Sequence, residues 1–460
     1  MTDNVASGPG VYRMDQAVAR HRRYSWMPSG WFMTKHLASD GGGTAVAAVP
    51  CPDDFFAVRV GFANVLKSPW RVSKIIACSS SCFNDYINPL DDAGLNRPGS
   101  DWVTLTAAMA GTDDPRIVTE GGAPTEHEIA GNSVDVASGD TENAAFTWTD
   151  WAPHSSCGSR MPSGMRVLML RILLPSNQTI TFANGFGQGM SNGFTADPGV
   201  NKGYDMFTGG VIFNHDLISD PAVTQAHPFT TRLVADNGPT NGPVSPIVQF
   251  LTKRPGVVGM ITGDSHHMGT STTSQFNNFL VQCLLPLGAM TVGKAPIGLV
   301  NCAVSGMTSR RFIPRLTALL SAVRPGLVVL PGWSFNDGVD ETNAGARAST
   351  EFLARILGAA EEVRAIGAVP IFLTPFPRNA DDMTSERMTS WLALRQSILD
   401  LRSTGELVAD ATPVLGHESF GALDGTYLGK FTTDTIHPND AGHAAVASIL
   451  APIVRQIAGL

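Results

Sequence analysis

Between residues 250 and 460, apolar runs alternate with amphipathic segments, and this alternation restricts the fold more than any other feature of the chain. "GVVGMI" (256–261), "PIGLVNCAV" (296–304), "GLVVLPGW" (326–333) and "AVPIFLTPF" (368–376) are short and almost wholly apolar, as strands buried on both faces must be. Helical spacing marks "RRFIPRLTALLSAVR" (310–324), "STEFLARILGAAEEVRAIG" (349–367), "SERMTSWLALRQSILDLRS" (385–403) and "NDAGHAAVASILAPIVRQIAG" (439–459). Strands alternating with helices of this length predict an α/β domain whose parallel sheet is covered on both faces. In such sheets ligands sit at the carboxyl ends of the strands.

The first 240 residues have another rhythm. "FFAVRVGFANV" (55–65), "WRVSKIIAC" (70–78), "AAFTWTDWA" (144–152), "MRVLMLRILL" (165–174) and "QTITFANG" (178–185) read as strands separated by loops rich in Gly, Pro, Asn and Asp. The expectation is a β-rich domain over 1–240, sandwich or jelly-roll-like, followed by the α/β domain over 250–460. A chain of 460 residues normally divides into at least two cores, and the turn-rich "DNGPTNGPVSP" (236–246) suits a connection between them.

Composition narrows the partners. The net charge is −8, from 40 acidic and 32 basic residues, with no dense Lys/Arg block, so neither nucleic acid nor an anionic membrane surface is an expected partner. No apolar run approaches the roughly 20 residues of a membrane span, so none is expected. The opening "MTDNVASGPG" has no apolar signal core, which points to the cytoplasm, although a secreted protein with a trimmed N-terminus would read the same. Six cysteines are too sparse for a disulfide scaffold and are expected to be mostly reduced, with one disulfide among Cys51, Cys78, Cys82 and Cys157 left open.

Chemistry concentrates at the ends of the predicted strands. "ITGDSHHMG" (261–269) runs from a strand into Gly263-Asp264-Ser265 and then towards a helix expected over 270–287. A serine at that junction is either part of an ordinary capped turn or a nucleophile beside the backbone N–H groups of a helix start. Near the C-terminus, "TTDTIHPNDAGH" (432–443) places Asp434 three residues before His437. On one loop, the carboxylate can hold one ring N–H while the other nitrogen faces a serine as general base. The plainer reading is a polar loop before a helix. In "NCAVSGMTS" (301–309) Gly306 lets the backbone approach a substrate oxygen, and in "PGWSFNDG" (331–338) Asn336 offers an amide N–H. With the N–H of Ser265 these make three candidate oxyanion donors.

Taken in order, Gly263-Asp264-Ser265, Gly306, Asn336-Asp337 and Asp434-x-x-His437 resemble the four sequence blocks of the SGNH (GDSL-like) hydrolase superfamily over residues 250 to 460. The resemblance implies a flavodoxin-like, three-layer α/β/α fold and metal-free ester hydrolysis or acyl transfer. It also implies Ser265 as nucleophile, His437 as base, Asp434 as its orienting acid, and Ser265, Gly306 and Asn336 as the oxyanion hole. Two positions depart from the family pattern. Ser334 stands where the third block usually has glycine, and His266-His267 follow the nucleophile where an aliphatic residue is common.

Other candidates read more plainly. "GMSNG" (189–193) matches a Gly-x-Ser-x-Gly elbow around Ser191 but lacks the flanking strand and helix, so it reads as a glycine-rich loop. No His, Cys or carboxylate cluster completes a metal site around His266 and His267, which are expected to pack beside the nucleophile. Trp333 reads as core or as pocket lining. Trp70, Trp148 and Trp151 read as core rather than as a sugar platform. The expected function is a serine esterase acting on a small-molecule or carbohydrate ester, with deacetylation of a carbohydrate preferred and no cofactor. The alternatives are an inactive module that binds glycan or protein, and an acyltransferase using the same residues.

Overall fold

The computed structural model describes residues 21–27, 32–39, 43–52, 54–64, 70–72, 74–78, 102–105, 127–129, 145–153, 159–160, 166–174, 178–184, 211–214, 247–272, 277–284, 297–303, 306–334, 336–337, 345–378, 383–416 and 428–458. Nine strands form the main sheet. They are β1 (His21–Met27), β2 (Phe55–Asn64), β3 (Ala145–Trp148), β4 (Ala152–Pro153), β5 (Ile247–Ile261), β6 (Ile297–Asn301), β7 (Leu327–Leu330), β8 (Val369–Leu373) and β9 (Leu407–Ala409). The helices are α1 (Ser265–Met268), α2 (Phe279–Leu284), α3 (Ser309–Val323), α4 (Gly345–Ala365), α5 (Ser385–Asp400), α6 (Thr412–Leu415) and α7 (Asp440–Ala458).

The C-terminal half has an α/β fold built on a mostly parallel sheet. Its strands lie in the order β6-β5-β7-β8-β9, all parallel. The first strand in the chain is therefore flanked by the second and third, so the point where the order reverses lies at the carboxyl end of β5. Alternation along the strands separates the two faces. Val258, Met260, Val300, Val328, Leu330 and Phe372 join one core with Phe312, Leu316 and Leu320 of α3, Phe352, Ile356 and Val363 of α4, and Trp391 and Leu394 of α5. Gly259 faces the other side, where a Cβ would lie 2.7 Å from the Leu284 side chain of α2. On α2, Phe279 stacks on His443 of α7 with ring centroids 5.6 Å apart. By length and composition alone α7 could cross a membrane. In the structure its stripe Val446, Ala447, Leu450, Ile453 and Val454 is buried.

Strand β5 is 15 residues long and works in two halves. Its second half pairs in parallel with β6 and β7. Its first half pairs antiparallel with β1 and β2, and β2 carries β3 and β4 in turn. Between the halves lie Thr252–Pro255, where the register with β1 jumps from Leu251↔Arg23 to Gly256↔His21 and Lys253 and Pro255 are exposed. Proline cannot donate to a ladder, so it marks the change of partner.

Gln249 of β5, fully buried, ties this junction together. Its Oε1 accepts from Arg59 Nε at 2.8 Å, and its Nε2 donates to Ser25 Oγ at 2.9 Å and to Ala322 O at 2.8 Å. Arg23 Nη1 also donates to Ala322 O, at 2.9 Å. Ala322 is in the last turn of α3, where carbonyls lack helical partners and a nearby cation is favourable. Arg59 lies 4.6 Å from the ring centroids of both Trp148 and Trp151. Trp151 is 1% exposed, so it belongs to the core and offers no platform to a sugar.

A second, antiparallel sheet runs in the order Val211–Asn214, Gly43–Pro50, Arg166–Leu174, Lys74–Cys78, Trp102–Leu105, with Ser159–Arg160 on Arg166–Leu174. Two further antiparallel pairs join Phe32–Ser39 with Gln178–Asn184 and Trp70–Val72 with His127–Ile129. Strands lie at 55–64, 166–174 and 178–184 as expected, whereas the stretches expected as single strands at 70–78 and 144–152 are each divided in two, 70–72 and 74–78 pairing in different sheets. Cys51, Cys283 and Cys302 are buried thiols. Ser191, Cys82, Cys157, the opening decapeptide and the turn-rich segment 236–246 lie outside the described residues.

Candidate active site

The carboxyl end of β5 leads through Thr262 and Gly263 into the single turn α1, of which Ser265 is the first residue. Gly263 has φ 142°, and a Cβ there would lie 2.4 Å from the His267 ring, so only glycine fits between strand and turn. Asp264 is the N-cap, and its Oδ1 accepts from the His266 backbone N–H at 3.0 Å. The capped turn and the serine are thus one feature: the cap is Asp264, and Ser265 is the first residue of the turn that it caps. Two asparagines fix the other end of α1. Asn278 Nδ2 donates to His267 O at 2.9 Å, and Asn301 Nδ2 donates to His267 O and Met268 O, each at 3.3 Å.

Ser265 faces the loop at 432–438. His437 Nε2 is 2.9 Å from Ser265 Oγ, and His437 Nδ1 is 2.7 Å from Asp434 Oδ2. Asp434 builds its own loop. Its Oδ1 accepts the backbone N–H groups of Ile436 at 2.9 Å and His437 at 2.7 Å, and Thr432 and Pro438 close the loop as a bridge. Oδ2 also accepts from Ser271 Oγ at 3.2 Å.

Protonation follows from these contacts. Burial opposes charge on Asp434, but the N–H groups of His437 and Ile436 and the imidazole outweigh it and hold the carboxyl well below the usual carboxylate range. An ionised Asp434 makes Nδ1 the protonated nitrogen of His437, leaving the Nε2 lone pair for the serine hydroxyl. Burial, then the charge on His266, lower the pKa of His437, while Asp434 pulls it upward. An imidazole so placed can take the proton of Ser265 near neutral pH.

Gly306 is exposed with φ 71°. Asn336 is half-buried and donates one amide N–H to Met307 O at 3.1 Å. Ser334, which stands in place of glycine, is fully buried and donates to the same carbonyl at 3.1 Å. Asp337 accepts the Ser309 N–H at 3.0 Å and the Ser309 hydroxyl at 2.9 Å, capping α3 from a distant loop. Burial pushes the Asp337 carboxyl up to about 6, against the Ser309 hydrogen bonds and Arg355. The substituted serine therefore joins Asn336 and Asp337 in tying the third block to the second. Trp333 is 6% exposed and lies in the core.

His266 and His267 both contact Asp264 Oδ1 through Nδ1, at 3.0 and 3.2 Å. Among the described residues, no group of three His, Cys, Asp or Glu is arranged to hold a metal ion. Ser271, Asn278 and Asn301 were not legible as site residues. Asn301 alone had a signal, its place at a strand end beside Gly306.

The C-terminal half is similar to solved GDSL-type hydrolases. One is a putative lipolytic protein of the G-D-S-L family from Desulfitobacterium hafniense, at 18% identity over 43% of this chain and 99% of that one, with a TM-score of 0.34. A carbohydrate acetylesterase family member from Sinorhizobium meliloti matches at 16% identity over 44% of this chain and 100% of its own, with a TM-score of 0.34. An acetylxylan esterase from Geobacillus stearothermophilus matches at 19% identity over 44% and 94%, with a TM-score of 0.31. No protein-family model and no curated protein matches the sequence.

Proposed function

We propose that the protein is a serine esterase that works through an acyl-enzyme on Ser265. The observation that carries the reading is the chain of contacts from Asp434 Oδ2 through His437 to Ser265 Oγ, 2.7 and 2.9 Å long. His437 Nε2 accepts the hydroxyl proton as Ser265 Oγ attacks the ester carbonyl, and Asp434 stabilises the imidazolium that forms. The oxyanion is received by the backbone N–H groups of Ser265 and Gly306 and by the second amide hydrogen of Asn336, each such donor being worth about 3 kcal/mol of barrier. Collapse expels the alcohol, which takes the proton from His437. Water then gives a proton to His437 as its oxygen attacks the acyl-enzyme, and breakdown releases the acid and restores Ser265.

The proposed substrate class is an acylated carbohydrate, with residues 1–240 as a β-rich, sandwich- or jelly-roll-like part that orients the alcohol portion. Its support is that β1 and β2 pair with β5, the strand that leads into Ser265. Purified protein and Ser265→Ala are compared on p-nitrophenyl acetate, butyrate and octanoate and on acetylated xylan. Hydrolysis by the parent that disappears in the variant is expected, with acetate preferred. Undiminished hydrolysis by Ser265→Ala would overturn the assignment.

A further inference from the structure

The resemblance gives no role to residue 266, yet His266 makes a contact that no aliphatic side chain there could make. Its Nε2 is 2.7 Å from the carbonyl oxygen of Ile436, the residue before His437. A carbonyl only accepts, so Nε2 carries a proton and donates it. The peptide joining Ile436 to His437 is then held at both edges, its C=O by His266 and its N–H by Asp434 Oδ1 at 2.7 Å. A planar peptide pinned at both edges fixes the direction in which the next side chain leaves the backbone. That side chain is the imidazole facing Ser265.

His266 is itself held. It is 3% exposed, its Nδ1 lies 3.0 Å from Asp264 Oδ1, and its ring meets Phe376 edge-on at 6.1 Å. Burial would raise the pKa of Asp264, but the charge on His266 and hydrogen bonds from both histidines hold the carboxyl well below the usual range. An ionised Asp264 only accepts, so Nδ1 donates as well. Both ring nitrogens of His266 are thus engaged, one with the cap of the turn carrying Ser265 and one with the loop carrying His437. Ser271 makes a second tie from the same segment, to Asp434.

We propose that His266 is a positioning residue: it reaches from the nucleophile turn to the Ile436 carbonyl and sets the distance between His437 and Ser265. This rests on the serine-esterase reading of the site. Ser265 and His437 are 172 positions apart in the chain, and the hydrogen bond of His266 replaces that separation with a span of one side chain.

Three variants separate reach from bulk. In His266→Gln the amide nitrogen extends about as far as Nε2 and can still donate to Ile436. In His266→Asn it extends only as far as Nδ1, and His266→Leu donates nothing. On p-nitrophenyl acetate, Leu and Asn are expected to lower kcat by about 10²-fold with little change in KM, and Gln to stay within about fivefold of the parent. Amide hydrogen exchange over 432–438 should quicken in Leu and Asn but not in Gln. Equal losses in Gln and Asn, or parental kcat in Leu, would overturn the proposal. If the parent hydrolyses none of the esters, the esterase reading fails, and the exchange pattern alone then decides. The Leu and Asn loops loosening without the Gln loop supports the positioning role, and any other pattern removes it.

Discussion

At the scale of single residues, the site is defined by what each polar atom can donate or accept. Asp434 uses both oxygens on the residue it orients, one on its backbone N–H and one on its ring, so it fixes position and tautomer together. In the proposed mechanism His437 acts as a base only when Nε2 is bare. Burial and the neighbouring His266 charge lower its pKa from the ordinary 6.5, so the neutral form persists to more acidic pH than for a free histidine. The acid limb of kcat/KM for p-nitrophenyl acetate, measured from pH 4.5 to 8, should therefore have its half-point below 6.5. A half-point above 7 would mean that Asp434 outweighs burial and His266, or that another group is the base.

At the scale of elements, the parallel sheet was legible because its strands are apolar on both faces. The helix stripes Phe312-Leu316-Leu320 and Phe352-Ile356-Val363 repeat at helical spacing. The contact between Asp434 and His437 was legible because the two stand three residues apart on one loop, and the turn that begins at Ser265 because Gly263 and Asp264 mark the end of the strand before it. The first half of β5 was not, since "VQFLTKRP" mixes buried, half-buried and exposed positions around a proline and matches neither a period of two nor a buried run. Of the helix expected over 270–287, α2 (Phe279–Leu284) is the described helical part, and residues 270–271 lie in a turn. The partners of Gln249 lie 73, 190 and 224 positions away, and no periodicity encodes such pairings. Their energetic role is testable. Gln249→Leu keeps the size but strips Arg59 Nε and Ser25 Oγ of a buried partner, which should cost about 2–4 kcal/mol. Urea unfolding should show a lower midpoint with an unchanged slope. A loss under 0.5 kcal/mol, on the order of an exposed surface change, would show that Gln249 does not bind β1, β2 and α3 together.

At the scale of the whole molecule, two neutral imidazoles are enclosed between the helices and the sheet. His443 of α7 is fully buried, its Nδ1 accepting the Phe279 N–H at 3.3 Å, while its Nε2 and that of His267 have no hydrogen-bond partner among the described residues. Burial first, then the like charge that His267, His266 and His437 carry when protonated, pushes the pKa of His443 down to about 3. Unfolded, it would titrate near 6.5. Between these values the unfolded chain binds a proton that the native protein refuses, so stability falls as pH drops from 6.5 towards 3, by about 2 kcal/mol at pH 5. Asp337 has the opposite sign. Its folded pKa of about 6 lies above the unfolded value of 3.8, so its contribution is full below 3.8 and is lost as pH rises through 6. Going from pH 7 to 5, that offsets about 1 kcal/mol of the histidine effect. Asp264 and Asp434, held low when folded, lose their contribution only as pH falls below the unfolded carboxylate range, outside this window. His267 and His437, whose pKa values are also lowered by burial, add to the destabilising effect of His443, so the parent's own curve between pH 7 and 5 is a sum of opposed contributions and the informative quantity is its difference from a variant. His443→Gln keeps an acceptor for the Phe279 N–H and removes the titration. Urea unfolding at pH 7.5 and pH 5 should show the variant losing about 2 kcal/mol less than the parent on acidification. Equal losses would mean that His443 takes up a proton in the native state, and that the contact between α2 and α7 opens to admit it.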